Sequence, residues 1–145
     1  MLRWGCLKIP FRLIMITWQE KYSTGIAELD KQHKNLFDYT NSLEQIIKDN
    51  ALSRSSIDGF MRLLDQYIKV HFGHEENCMY KYHCPAAAQN KEAHQKFIER
   101  FKMTEDRIRT EDANDQALKD LHQFLESWLV EHICKIDTQI KACVH

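Results

Sequence analysis

The sequence predicts an all-α protein: an up-down-up-down antiparallel four-helix bundle preceded by an N-terminal arm. Three observations predict it. Only four glycines and two prolines occur in 145 residues. Four long segments carry apolar residues at three- and four-residue spacing, the period of a helix with one buried face. The connections between them are short, so neighbouring helices must run antiparallel.

Residues 1–14 stand apart from this pattern. Arg3, Lys8, Pro10 and Arg12 interrupt any apolar run, so the segment has neither helical nor strand periodicity and does not read as a signal peptide. Met15 is expected to open the domain, which runs over 15–145, with 1–14 an extension. The first helix should take Leu29, His33, Leu36, Phe37, Thr40, Leu43 and Ile47 as its inner stripe, with Asp30 as N-cap. The second begins in a serine-rich stretch (Ser53, Ser55, Ser56) and takes Ile57, Phe60, Leu64, Tyr67, His71, Glu75 and Met79. In the third, Pro85 suits the first turn, and Ala87, Asn90, His94, Phe97, Phe101, Thr104 and Ile108 face inward. The fourth follows Asp112, Asn114 and Asp115 and takes Leu121, Leu125, Trp128, His132, Ile136 and Ile140.

Composition removes several functions. Net charge is −1 with 28% charged residues, so no field of one sign recruits nucleic acid or an anionic membrane. No apolar run reaches the length of a membrane span. Five cysteines without a CxxC pair argue against a disulfide framework and for reduced thiols in a cytoplasm. Cys78 and Cys134 are expected to be buried and inert, and His74, His83, His122 and His145 to be solvated.

The polar residues on the stripes carry the chemistry. His33, Asn90 and His94 lie near the starts of helices one and three; His71, Glu75, His132 and Asp137 lie near the ends of two and four. Antiparallel packing brings those starts and ends together at one end of the core. Buried imidazoles and carboxylates are costly unless paired, and a metal cluster would pair with all of them at once. His71 with Glu75, and Asn90 with His94, are i, i+4 and share a helix face. His132 and Asp137 are i, i+5, about 140° apart on a regular helix, which suits a carboxylate reaching across two ions or a π-bulge. Imidazole and carboxylate donors without thiolate favour iron or manganese over a structural zinc site.

In combination, the order H…HxxxE…NxxxH…HxxxxD, with Asn90 at the first position of the third motif, resembles the hemerythrin family, specifically its single-domain bacterial members, from Ile16 to about Ile140. Flanking residues join the match: Trp18, Gly25-Ile26, His71-Phe72, Glu75-Glu76, Met79 and Trp128-Leu129. The resemblance implies two non-heme iron ions bridged by the Glu75 and Asp137 carboxylates and an oxo or hydroxo group. It implies that His33 and His71 serve the iron that binds dioxygen, and that His94 and His132 serve the second. Phe37, Phe72, Phe97, Trp128 and Leu129 would then form an apolar wall around the O2 pocket. One position departs from the family: the second iron's third imidazole falls at Asn90, either a weak ligand or a core amide bonded to a ligand or water. Exogenous ligands such as azide could occupy the gap.

The implied function is reversible dioxygen carriage, storage or sensing, by a binding protein rather than an enzyme. The competing class is a di-iron enzyme or NO-responsive protein that exploits the extra open site. Ferritin-like di-iron enzymes use Glu-x-x-His repeats, and this sequence contains none.

Overall fold

The structure, a computed structural model, describes residues 15–49, 53–110 and 115–144. The extension at 1–14 and the residues Asp112 and Asn114 lie outside the described residues. Four long helices follow one another: α1 (Ala27–Lys48), α2 (Arg54–Lys81), α3 (Ala87–Thr110) and α4 (Asp115–Lys135). A 3-10 turn at Asp137–Gln139 leads to a short α5 (Ile140–Cys143). No helix among the described residues is long and apolar enough to cross a membrane.

The arm ahead of α1 is held by polar contacts at both ends. Asn41 of α1 pairs twice with the backbone of Ile16, accepting from its N–H and donating to its carbonyl, both at 2.9 Å. Trp18 and Tyr22 lay their rings against Phe37. Gly25 then turns the chain into α1 at φ +79°, where a side chain would be strained and would press on Lys141. Helix α1 starts at Ala27, four residues earlier than an Asp30 cap implies. Asp30 instead reaches back from the first turn, accepting from Thr24 N–H (2.8 Å), Thr24 Oγ1 (2.8 Å) and Ser23 Oγ (2.7 Å). Its negative charge there also suits the helix N-terminus.

The other starts follow similar local logic. Ser53 caps α2 by accepting from Ser56 N–H at 3.2 Å. Pro85 sits two residues ahead of α3, in the tight turn from α2, rather than inside the helix. His83 takes a left-handed conformation in that turn, at φ 50°.

The buried face of α1 agrees with the expected stripe; on α3 Ala87 and Thr104 are half-buried rather than buried, and α2 and α4 depart further. Cys134, on the outer face of α4, is exposed rather than buried as the sequence suggested. On α2 the innermost line runs through Ile57, Met61, Leu64, Ile68, His71, Glu75 and Met79. Phe60 and Tyr67 are displaced to the rim, where the Tyr67 hydroxyl finds Asn35 Nδ2 at 3.0 Å. A phenol needs a hydrogen-bond partner, and the rim supplies one. On α4 the buried face is wider than one stripe and takes in Ala117, Leu118, His122, Phe124 and Ile133 as well. His122 is therefore a core residue, not a solvated one. Burial pushes its pKa down, against the opposing pull of Glu44. Glu44 is itself buried and paired with Lys48 at 2.7 Å.

Two apolar clusters result. The larger fills the bundle, with Leu36, Phe37, Leu64, Phe72, Phe97, Phe101, Leu121 and Leu125 among its members. The smaller (Leu29, Met79, Cys84, Ala86, Ile136, Ile140) closes one end. We expect Asp30→Ala to cost about 1–2 kcal/mol, since it strips the arm and the first turn of α1 of one shared acceptor. Chemical denaturation measures this, and Asp30→Asn should recover part of the loss.

Candidate metal centre

Four members of the smaller cluster stand four residues from a polar core residue: Leu29 from His33, Met79 from Glu75, Ala86 from Asn90 and Ile136 from His132. The polar residues thus form a single layer between the end cluster and the main core. His33, His71, Glu75, Asn90, His94, His132 and Asp137 are all buried, none more than 5% exposed. The structure brings together every polar stripe residue that the sequence singled out.

Within the layer the donors divide into two groups. His33, His71 and Glu75 each offer an atom within 4.8 Å of one another, and so do Glu75, His94, His132 and Asp137. The carboxylates span the division. Glu75 Oε2 lies 3.0 Å from His33 Nε2 and 3.3 Å from His71 Nε2, while its Oε1 lies 3.2 Å from His94 Nε2. Asp137 places Oδ2 3.1 Å from His33 Nε2 and Oδ1 3.1 Å from His132 Nε2. One oxygen of each carboxylate therefore serves each group.

The i, i+5 spacing is solved by a break rather than a π-bulge. Helix α4 ends at Lys135, Ile136 turns at φ −116°, and Asp137 opens the 3-10 turn. Thr138 Oγ1 donates to the Cys134 carbonyl at 2.8 Å and holds this turn.

Asn90 is tied on both sides. Its Nδ2 donates to Glu75 Oε1 at 2.9 Å, and its Oδ1 meets His132 Nε2 at 2.8 Å. Of the two roles open to it in the sequence, the amide bonded to neighbouring donors is the arrangement seen.

Three residues outside the stripes complete the layer. Gln32 Oε1 meets His71 Nδ1 at 2.8 Å, and Gln32 Nε2 meets His74 Nδ1 at 3.0 Å. Glu76 Oε1 meets His94 Nδ1 at 2.9 Å. An acceptor on Nδ1 fixes the tautomer that leaves Nε2 free for a metal. His74 is accordingly a half-buried, bonded residue rather than a solvated one. Sequence reasoning passed over Gln32 and Glu76 as partners because each lies one residue beyond a stripe position, off the inward face. His83 is exposed and takes no part.

The aromatic residues favour the second group. Phe72 stacks on His94 (centroids 3.7 Å apart, planes at 4°) and Trp128 on His132 (4.2 Å, 12°), with Phe97 against both Phe72 and Trp128. Phe72 also meets His71 at 6.0 Å. Leu129 lies in the main core, and Phe37 packs on Trp18 and Tyr22.

The layer's protonation follows from these contacts. Burial acts to depress His33, but Asp137 and Glu75 outweigh it and raise its pKa to about 9. Burial dominates at His71 and lowers it. At His94 burial is outweighed by Glu75 and Glu76, so its pKa rises. Burial alone would keep Glu75 neutral, yet contacts with His33, His71 and His94 hold its carboxyl well below the usual range.

The donor set fits metal ions. His94 Nε2 and Asp137 Oδ1 are buried without a hydrogen bond, and both point into the second group. Imidazole nitrogens and carboxylate oxygens in two sets bridged by carboxylates suit a pair of divalent first-row ions. The fold and this layer define a helical-bundle cation-binding protein.

The comparisons agree. Residues 24–144 match the family model described as the hemerythrin HHE cation binding domain, and the chain belongs to the hemerythrin family, whose members bind non-heme iron. It is 31% identical to a hemerythrin-like protein of Naegleria gruberi over 86% of this chain and 89% of that one. It is 28% identical to a bacteriohemerythrin of Methylococcus capsulatus over 91% and 98%. A crystal structure of wild-type hemerythrin superposes with a TM-score of 0.77 at 28% identity, covering 90% of this chain and 98% of the other.

The raised His33 pKa sets a pH dependence. A group raised in the folded state stabilises fully below its ordinary value and loses that contribution as pH rises through the folded value. Metal-free protein should therefore lose stability between neutral pH and about 10. Metal-loaded protein should not, because a ligating imidazole is already neutral. Metal uptake at neutral pH should release protons, measured by titration calorimetry in buffers of different ionisation enthalpy.

Proposed function

We propose that the chain holds two iron ions and binds dioxygen reversibly, without turnover. The observation that carries this reading is the pair of carboxylates, Glu75 and Asp137, each with one oxygen in each donor group. His33 and His71 would hold one ion, and His94 and His132 the other. Two ferrous ions here would supply the electrons that dioxygen takes up on binding and returns on release.

The residues around the ions do the rest. Gln32 and Glu76 orient His71 and His94 by accepting hydrogen bonds from their Nδ1–H groups. Asn90 steadies Glu75 through its amide. The apolar layers above and below exclude bulk water, which would otherwise deliver protons to the bound gas. Phe72 contributes to that barrier at both groups, and Phe97, Trp128 and Leu129 line the main-core side. Phe37 supports the arm that covers α1. The absence of Glu-x-x-His repeats and the histidine-rich donor set favour binding over oxidation chemistry.

Protein loaded anaerobically should carry two irons per chain, and Glu75→Ala should lose both, since both groups need that carboxylate. Metal analysis checks the count; a native stoichiometry near one would empty the second group. Chelation should lower the melting temperature markedly, because ions that bind only the folded state stabilise it by mass action. An optical titration with O2, followed by its removal, should return the reduced spectrum.

Asn90 should govern how long the oxygenated form lasts. An amide engaged with Glu75 and His132 leaves the second iron one imidazole short and open to water or anions. Asn90→His places an imidazole at i, i+4 to His94, on the same face. It should slow decay of the oxygenated spectrum and weaken azide binding. Asn90→Ala, which loses both hydrogen bonds, should decay at least as fast as wild type. Equal decay in all three would remove Asn90 from control of the site.

A further inference from the structure

Behind the first group (His33, His71 and Glu75) the ring contacts extend one residue further than behind the second. Gln32 of α1 lies across two histidines of α2 that stand three residues apart and so present neighbouring rings. Its Oε1 meets His71 Nδ1 at 2.8 Å, and its Nε2 meets His74 Nδ1 at 3.0 Å. Gln32 and His74 are both half-buried at the rim, whereas His71 is buried in the layer. Behind His94 the chain of contacts is shorter and ends on the Glu76 carboxylate, at 2.9 Å.

An ionised carboxylate only accepts, so Glu76 has no wrong end to present to His94. An amide has one. Turned end for end, the Gln32 amide keeps its shape but donates from Nε2 to His71 Nδ1. A neutral imidazole has a single ring proton, and His71 would then carry it on Nε2, the atom needed for an ion. An acceptor for that misplaced proton is at hand, since Glu75 Oε2 lies 3.3 Å from His71 Nε2. That contact is longer than the one to Gln32, and Glu75 Oε2 is shared with His33 at 3.0 Å. Either sense of the amide therefore leaves the His71 proton with an acceptor, and the far end of the amide decides between them. An imidazole that meets water at the rim prefers its proton on Nε2, which leaves a lone pair at Nδ1. His74 offers that lone pair to Gln32 Nε2.

We propose that His74 is a positioning residue for the first group: it fixes the sense of the Gln32 amide, and so keeps the ring proton of His71 on Nδ1 and its Nε2 open to an ion. This role rests on a metal in the first group and on nothing about the gas bound there.

The test uses the full-length chain with cobalt(II) as probe ion, in wild type, His74→Ala, Gln32→Glu and the double variant. Affinity is read by competition with a chelator at fixed pH. In His74→Ala the ion in the first group should bind about tenfold more weakly, the scale on which losing a contact behind a ligating imidazole acts. In the Gln32→Glu background a carboxylate accepts from His71 whatever stands at position 74, so His74→Ala should leave affinity unchanged. Such non-additivity marks a residue that acts through Gln32. NMR of nitrogen-labelled histidine rings, on the same chains before loading, reads the tautomer directly. His71 should carry its proton on Nδ1 in wild type, partly on Nε2 in His74→Ala, and on Nδ1 again in the double variant. Equal affinities in wild type and His74→Ala, an equal loss in both backgrounds, or a His71 tautomer indifferent to position 74 would overturn the proposal. Should wild type take up no cobalt, the metal reading fails, and the tautomer alone then decides the part played by His74.

Discussion

Everything at one end of this bundle answers to one constraint: a layer of ionisable side chains, a single helical turn thick, is sealed between two apolar clusters. Four imidazoles and two carboxylates in such a place are held at high cost unless their charges are matched within the layer. Without metal, the matching is partial. Glu75 stays ionised by drawing on three imidazoles, and His33 stays protonated by drawing on two carboxylates. His71 is left with burial as its dominant influence. Divalent ions would complete the match, because His94 Nε2 and Asp137 Oδ1 are buried there without a hydrogen bond and the other imidazole and carboxylate atoms crowd against one another.

The apolar clusters are what make that charge matching rigid. Residues one turn away fix the height of the ligands, and at His71 and His94 the contacts on Nδ1 fix the ring. The two groups are supported differently. His71 is braced by a chain through Gln32 to His74 at the rim; His94 is braced by a carboxylate, Glu76, and by the face of Phe72. A carboxylate behind an imidazole raises its basicity more than an amide does. The second group is thus electron-richer at His94, and it is also the group that Asn90 joins through its contact with His132.

Much of this was legible in the sequence because the informative signal was local in spacing and global in placement. Period alone located four helices, and the position of each polar residue near a helix start or end was enough to bring them to one layer. What was hidden depended on side chains one residue off the stripe. Gln32 and Glu76 follow no inward periodicity, so their contacts with His71 and His94 emerge only when two helices are set side by side. His122 was misread because α4 buries a broad face, and a narrow stripe undercounts such a helix. The α2 stripe shifted by one position at Phe60 and Tyr67; at Tyr67 the phenol hydroxyl prefers the rim, a preference that periodicity does not encode.

The two bridging carboxylates show how side-chain length and backbone geometry trade against each other. Glu75 stands i+4 from His71 on an unbroken helix, and its longer side chain lets one oxygen stay with His71 while the other reaches His94 across the layer. Aspartate is one methylene shorter. Placed i+4 from His132 on a continuing helix, it would lie on the same face as that imidazole and serve its group alone. Moving it to i+5 on a regular helix would swing it about 140° away. The chain instead ends α4 at Lys135 and tightens into a 3-10 turn, which brings the short carboxylate between His33 and His132 with one oxygen toward each. The break would be unfavourable in isolation, since it forfeits helical hydrogen bonding. It is secured by Thr138 and by the burial of Ile136 and Ile140 against Leu29 and Met79. The backbone irregularity and the end cluster are therefore one device: the apolar contacts hold open a helix end so that a short acid can face two groups at once.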